Sequence, residues 1–407
     1  MTAAALVAVG AWWALAGGSP AEAPAPEPAI PRPGPRTLRD EAWALLASRR
    51  FAEACARLDG AAGQADPAAR HDAARCFGDW AWATLREGRP AEARALFRHG
   101  LAHAPGDPAL LRGLGLAAIH DGRVAEAVEP LERSVDADPD PEVHLLLARL
   151  WDRRDRADRA LVHLRAVLER APTHAAARAL LEKLERERHA EAGFRREATA
   201  HFVVKHHGRD AALPRAVLAA LERARTEVGA RLGYWPDEPL LVVLYEDAAF
   251  REVTRVHGWV TGLFDGKIRL PVGAATPPAA LEALVRHEYA HAAVHALARG
   301  RAPRWLQEGL AQLLEGAPAD PMLRVPTGLT LRGLEALVTD PDPVRARAGY
   351  DLARWVVDDL AQRGGLEALR RLLGRLGAGA SLDHALAATY GHDTDALEAA
   401  WHARLGG

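Results

Sequence analysis

The chain has 407 residues, with 52 Lys and Arg against 54 Asp and Glu and a formal net charge of −2 at pH 7. This length allows two or three domains, and the nearly balanced charge argues against nucleic acid or an acidic membrane surface as the main partner. Cys55 and Cys76 are the only cysteines, which excludes a disulfide framework and a cysteine-based zinc site. They pair if the chain is exported, or else remain two buried thiols. Lysine occurs only at Lys183, Lys205 and Lys267, a bias that suggests no function by itself.

The N-terminal region divides into two segments. Residues 1–16 form an apolar run that is short for a membrane span of about 20 residues and resembles the core of a signal peptide. No Lys or Arg precedes Arg32, so the usual basic start is missing. Either the true start lies upstream of a signal peptide, or the run is an uncleaved membrane anchor. Residues 17–37 alternate Pro with Ala and Glu, which predicts an extended linker. The apolar run favours an exported protein that is periplasmic, secreted or membrane-anchored.

Residues 38–192 are predicted to be helical and repetitive. The segment Arg89-Pro-Ala-Glu-Ala93 recurs as Arg123-Val-Ala-Glu-Ala127 and as Arg156-Ala-Asp-Arg-Ala160, at steps of 34 (127 − 93) and 33 (160 − 127). Arg50-Phe-Ala-Glu-Ala54 is a more divergent copy. This period resembles that of tetratricopeptide repeats. The resemblance implies an α-solenoid whose concave face binds an extended peptide or a helix, or one that serves as a spacer or packing module.

The composition changes near residue 198. Residues 201–206 and 239–245 are short apolar or β-branched runs that predict strands, and residues 213–232 between them predict an amphipathic helix. The dipeptide Asp265-Gly266 lies between two further apolar runs and predicts a hairpin. Pro271 suits the end of an edge strand.

The next predicted helix carries a metal-binding pattern. Residues 279–299 contain no Pro or Gly and include His287-Glu288-x-x-His291. The spacing of four places both imidazoles on one helical face, where they can bind one Zn²⁺ beside Glu288. A second helix opens at Pro303-Arg-Trp-Leu-Gln-Glu308, and Glu308 is the candidate for the third protein ligand that a catalytic zinc site needs.

These two motifs together resemble those of gluzincin metallopeptidases, specifically the peptidase MA-like domains. The resemblance covers residues 198–405, including the helices predicted after Glu308. It implies an α+β zincin-like domain with one zinc per chain, bound by His287, His291 and Glu308. Glu288 would be the general base for a metal-activated water. The edge strand of the small sheet would lie antiparallel to a peptide substrate.

Other side chains are candidates for supporting roles. His295 continues the face of His287 and His291 but is interpreted as a packing residue or a partner of a ligand. Gln312 or Glu315 could accept a hydrogen bond from a ligand histidine. A tyrosine or histidine commonly stabilises the oxyanion in gluzincins, and Tyr350 is the preferred candidate, ahead of Tyr390.

The sequence thus predicts an α-solenoid, tetratricopeptide-like, joined to an α+β zincin-like metallopeptidase domain. The predicted function is zinc-dependent hydrolysis of peptide bonds, with the repeats binding a partner or the substrate and no role for nucleic acid. The alternative is a repeat-based scaffold with a catalytically silent protease-like domain. An intact Glu288 disfavours that alternative. No motif distinguishes an endopeptidase from an exopeptidase.

Overall fold

The computed structural model describes residues 37–62, 66–208, 212–236, 238–257, 260–273, 276–316 and 322–405. The predicted signal peptide or anchor at 1–16, and the linker up to residue 36, lie outside these described ranges. Within the described ranges, no helix has the length and apolar character that a membrane crossing requires.

The N-terminal half of the described chain is a stack of paired helices, followed by one last helix. The helices are α1 (Leu38–Ala47), α2 (Phe51–Ala62), α3 (Pro67–Arg86), α4 (Pro90–His103), α5 (Pro108–His120), α6 (Val124–Ala137), α7 (Pro141–Arg153), α8 (Ala157–Arg170) and α9 (Ala175–Ala190). The two helices of each pair are joined by a short turn that contains one residue in the left-handed conformation. These residues are Arg49, Gly88, Gly122 and Asp155, with φ of 57°, 77°, 80° and 56°. The predicted α-solenoid is confirmed, and the divergent copy at Arg50 shares the turn of the other three pairs.

The repeats bury their apolar faces against one another. Phe97 of α4 is fully buried, and its ring lies so close to Gly113 of α5 that a Cβ there would stand 2.2 Å from it. In the first repeats Cys55 of α2 and Cys76 of α3 form a disulfide with a Cα–Cα distance of 5.5 Å. Of the two alternatives for the cysteines, pairing is the one in the structure.

A five-stranded mixed sheet follows the solenoid. The strands are β1 (Arg195–Ala198), β2 (Phe202–His206), β3 (Leu240–Tyr245), β4 (Leu263–Phe264) and β5 (Ile268–Pro271). They are ordered β1-β2-β3-β5-β4, with β2–β3 and β3–β5 parallel and the two outer pairs antiparallel. The hairpin predicted at Asp265-Gly266 joins β4 to β5. Pro271 ends an interior strand rather than an edge strand, because β4 covers the outer side of β5.

Helices cover the sheet and form a further layer. They are α10 (Ala212–Leu232), α11 (Asp247–Thr254), α12 (Pro278–Ala298), α13 (Arg304–Glu315), α14 (Leu331–Val338), α15 (Pro343–Gly377), α16 (Leu382–Tyr390) and α17 (Thr394–Leu405). One face of the sheet packs on α10 and α12, and the other face contacts α11 and residues next to the end of α9. The helices after α12 enclose a separate core around Trp305 and Trp401. Helices α12 and α13 therefore lie between the core that they share with the sheet and the core of the C-terminal helices.

Candidate metal centre

Helix α12 presents its two histidines away from the sheet. Val285, Tyr289 and Ala293 are spaced by four and pack into the core shared with the sheet, so His287 and His291 lie on a different face of the same helix. Because these three side chains are buried in that core, the rotation of the helix about its own axis is fixed. The histidines are thereby directed towards α13.

The position of helix α13 is fixed by contacts with α14 and α15. Its N-cap, Pro303, has no capping side chain, and Glu335 of α14 instead accepts hydrogen bonds from the N–H groups of Arg304 and Trp305, at 2.9 and 3.0 Å. Gly309 lies against α15 so closely that a Cβ would be 2.4 Å from the carbonyl oxygen of Ala353. These contacts place Glu308 opposite the two histidines.

The three predicted ligands converge. His287 Nε2 lies 3.2 Å from His291 Nε2, and Glu308 Oε2 lies 3.7 and 3.3 Å from these two nitrogens. Tetrahedral zinc with bonds of about 2.0–2.1 Å keeps its ligand atoms about 3.3 Å apart. The three atoms therefore form one face of a tetrahedron of the size that zinc requires. Among the described residues, these three are the group of His, Cys, Asp and Glu side chains close enough to hold a metal ion.

Glu288 lies beside this face with one oxygen unsatisfied. The residue is buried, and its Oε2 has no hydrogen-bond partner among the described residues. Burial raises the pKa of Glu288, although the neighbouring His291 and His287 oppose that rise. A buried carboxylate without a partner is costly, and a water held next to it by a metal would satisfy it. The donor set and this oxygen fit a zinc ion.

Strand β4 approaches Glu288 through a glycine. A Cβ built on Gly262 would stand 2.3 Å from Glu288 Oε1, so any side chain at this position would have to displace the Glu288 carboxylate. Sequence reasoning missed Gly262, and no local pattern marked it.

Charged partners surround the ligands. His287 Nδ1 donates to Glu315 Oε2 at 3.0 Å, which leaves Nε2 directed at the metal position and identifies Glu315, of the two candidates, as the partner of His287. Arg304 Nε lies 3.0 Å from Glu308 Oε1. Sequence reasoning missed Arg304, although its spacing of four from Glu308 was a usable signal.

The electrostatics of this cluster favour a cation. Burial opposes charge on His287, but hydrogen bonds to Glu308 and Glu315 outweigh it and raise the pKa to about 10. Burial likewise disfavours ionised Glu308, yet His291, His287 and Arg304 hold its pKa well below the usual range. The carboxylates that keep a proton on His287 would equally stabilise a divalent ion in its place.

Tyr350, near the start of α15, also lies at this centre. Burial raises the pKa of its phenol, Glu308 and Glu288 raise it further, and Arg304 opposes them, partly through a hydrogen bond. The phenol is thus near enough to both carboxylates for their charges to act on its pKa. Tyr390 lies elsewhere, against Gly364 within the C-terminal core.

His295 is not grouped with the ligands. Its Nε2 lies 2.8 Å from Arg153 Nη2, and its ring meets the edge of Phe264 with centroids 5.4 Å apart. Because arginine can only donate, His295 must accept through Nε2 and is neutral. It connects the end of α12 to the solenoid.

Comparison with known proteins bears on the solenoid. A family model described as the tetratricopeptide repeat matches residues 84–150, which run from the end of α3 to α7. No curated protein matches the chain. The matched helices are tetratricopeptide repeats, a class of stacked repeats whose extended surface binds protein partners.

Proposed function

We propose that residues 198–405 form a zinc-dependent peptidase of the gluzincin type and that the tetratricopeptide repeats bind a protein partner or the substrate. One observation carries the proposal. Three ligand atoms, on His287, His291 and Glu308, are spaced for tetrahedral zinc, and they adjoin a buried carboxylate oxygen of Glu288 that has no partner in the described chain.

The side chains of the metal centre have different roles in the proposed reaction. A zinc ion held by His287, His291 and Glu308 would supply Lewis acidity to a water and to the scissile carbonyl. Glu288 accepts the proton of the attacking water, and its raised pKa suits it to pass that proton to the leaving amine. Tyr350 donates a hydrogen bond to the carbonyl oxygen as negative charge develops there. The edge of β4 that faces away from β5 offers backbone hydrogen bonds to an extended peptide.

The test removes the proposed base and keeps its shape. Glu288→Gln should retain about one zinc per chain and lose about 10²–10⁴-fold or more in turnover. Metal content is measured on the purified protein, and turnover on a mixed peptide library. Glu282→Gln is the matched control, since Glu282 is on the same helix, on the surface, paired with Arg223.

Two results would count against the proposal. Cleavage by Glu288→Gln at the parent rate would require another mechanism. A parent protein that holds zinc but cleaves no peptide in the library would favour the scaffold alternative.

We also propose that the protein is exported. The disulfide between Cys55 and Cys76 supports this, because such bonds persist in oxidising compartments. The measurement is alkylation of the denatured protein, taken from its native cell without reductant. Neither cysteine should react; two reactive thiols per chain would contradict export.

A further inference from the structure

All three lysines of the chain converge on one charge cluster between the solenoid and the sheet. Of the 52 basic residues only three are lysine, and they come from α9, β2 and the β4–β5 turn. We call this group the interface cluster. It comprises Asp152, Asp155, Lys183, Glu187 and Glu191 of the solenoid region, and Arg196, Lys205, Asp265, Lys267 and Arg269 of the sheet.

Glu187 lies at the centre of the cluster. Its Oε2 accepts from Lys267 Nζ at 2.9 Å and its Oε1 from Arg269 Nη2 at 2.7 Å. All three residues are buried, with 4%, 3% and 1% of their surface exposed. Removing one partner of a buried ion pair leaves an uncompensated charge, which is far more costly than losing a surface pair.

The interface cluster holds the β4–β5 hairpin through ion pairs with residues of the solenoid. Lys183 Nζ lies 2.9 Å from Asp265 Oδ2, and Asp152 Oδ1 lies 2.6 Å from Lys267 Nζ, so both ends of the turn are held. Strand β4 has two residues, and among the described strands it pairs with β5 alone. So short a pairing gives the hairpin little stability of its own.

The same hairpin leads to the candidate catalytic base. Gly262 precedes β4 and lies against Glu288, and Arg153 of α7 bridges the tip of the hairpin and the end of α12. A Cβ on Gly266 would be 3.0 Å from the Arg153 side chain, and Arg153 donates to His295. The solenoid therefore contacts both elements that flank Glu288.

We propose that Glu187 is a positioning residue, through which the solenoid holds edge strand β4 in place beside Glu288. The catalytic consequence rests on the proposed peptidase function, whereas the mechanical link between α9 and the hairpin does not. A loosened β4 would weaken binding of peptides long enough to pair with it. Short substrates that contact only the metal centre would be affected less.

The test is Glu187→Gln in the full chain, with Glu185→Gln as the control on the exposed side of the same helix. Hydrogen exchange should accelerate about 10-fold or more at amides 262–270, and remain at the control rate in α12 and in the solenoid helices before α9. KM for long peptides should rise about 10-fold while kcat changes less than about twofold, because the loss is one of uniform binding.

A second variant covers the case in which Glu187→Gln folds poorly. Glu187→Asp keeps a carboxylate opposite Lys267 and Arg269, and it should retain at least half of the hairpin protection that Glu187→Gln loses. Hairpin exchange in Glu187→Gln equal to that of the Glu185→Gln control would overturn the proposal. So would an acceleration spread evenly over the whole protein. If Glu187→Gln loosens the hairpin but the parent protein cleaves no peptide, only the peptidase function is overturned.

Discussion

Glu288 and Glu308 are two carboxylates in one buried cluster whose surroundings shift their pKa values in opposite directions. Burial dominates at Glu288 and raises its pKa. At Glu308 the nearby His291, His287 and Arg304 overcome burial and lower it. Pairs of titratable groups driven apart in this way typically take different roles. Glu308 suits a permanently ionised ligand, and Glu288 suits a group that gains and loses a proton.

At the residue scale, Tyr350→Phe should reduce turnover about 10-fold or more, because one oxyanion donor can contribute roughly 2.7–4 kcal/mol. The substitution deletes only the hydroxyl, so zinc content and melting temperature should stay within error of the parent. Steady-state kinetics and metal analysis provide the measurement.

Tyr390→Phe is the control for this prediction, since Tyr390 packs against Gly364 in the C-terminal core. It should keep full turnover. Equal losses in the two variants would show that Tyr350 has no special part in catalysis.

At the scale of the elements, the site depends on how closely the start of β4 approaches α12. The chain passes Glu288 at Gly262, and β4 then pairs with β5 through Leu263 and Phe264. This glycine is needed for space, because a side chain there would occupy the volume of the Glu288 carboxylate.

Gly262→Ala should therefore displace Glu288 and lower turnover about 10²-fold, the effect of misplacing a reacting group by about 1 Å. Zinc content should not change, since the three ligands are on α12 and α13. Kinetics and metal analysis of the variant test this.

The matched substitution is Gly273→Ala, just after β5, where an added Cβ meets nothing within 4 Å. It should behave as the parent does. Unaltered turnover in Gly262→Ala would mean that Glu288 is not held at this contact.

At the scale of the whole molecule, the solenoid and the helix that carries His287 and His291 are joined through Arg153 and His295. Burial first, and then the charge of Arg153, lowers the pKa of His295 from 6.5 to about 4. Between pH 6.5 and about 4 the unfolded chain therefore binds a proton that the folded chain does not. The contribution of this contact to stability is complete above pH 6.5 and is lost as the pH falls towards 4.

The free energy of unfolding should accordingly fall by about 1 kcal/mol more between pH 7 and pH 5 in the parent than in His295→Gln, a value reduced for the partial exposure of the ring. Glutamine keeps an acceptor for Arg153 and does not titrate. Denaturant titrations of both proteins at the two pH values make the comparison. If the free energy of unfolding depended on pH in the same way in both proteins, His295 would have the same pKa in the folded and the unfolded chain.

The helices, the repeats and the histidine pair followed from local rules. The 34-residue period predicted the solenoid, the spacing of four predicted that His287 and His291 share a face, and Asp265-Gly266 predicted the hairpin. The last two signals depend on residues that are close in the chain, where helix and turn geometry dictate direction, and the first depends on the repetition of one short segment. The third ligand came from a motif resemblance, and the structure brings Glu308 to the two histidines.

The contacts between elements were decided only by the tertiary structure. The sequence left the pairing of Cys55 with Cys76 open, left Gln312 and Glu315 as equal candidates, and treated the three lysines as a compositional bias. The packing of α13 against α12 selects Glu315, and the docking of α9 on the sheet unites lysines that are 22 and 62 positions apart (205 − 183, 267 − 205). Sequence periodicity carries no information on such docking, because it arises from the fit of whole surfaces and from the cost of burying unpaired charge.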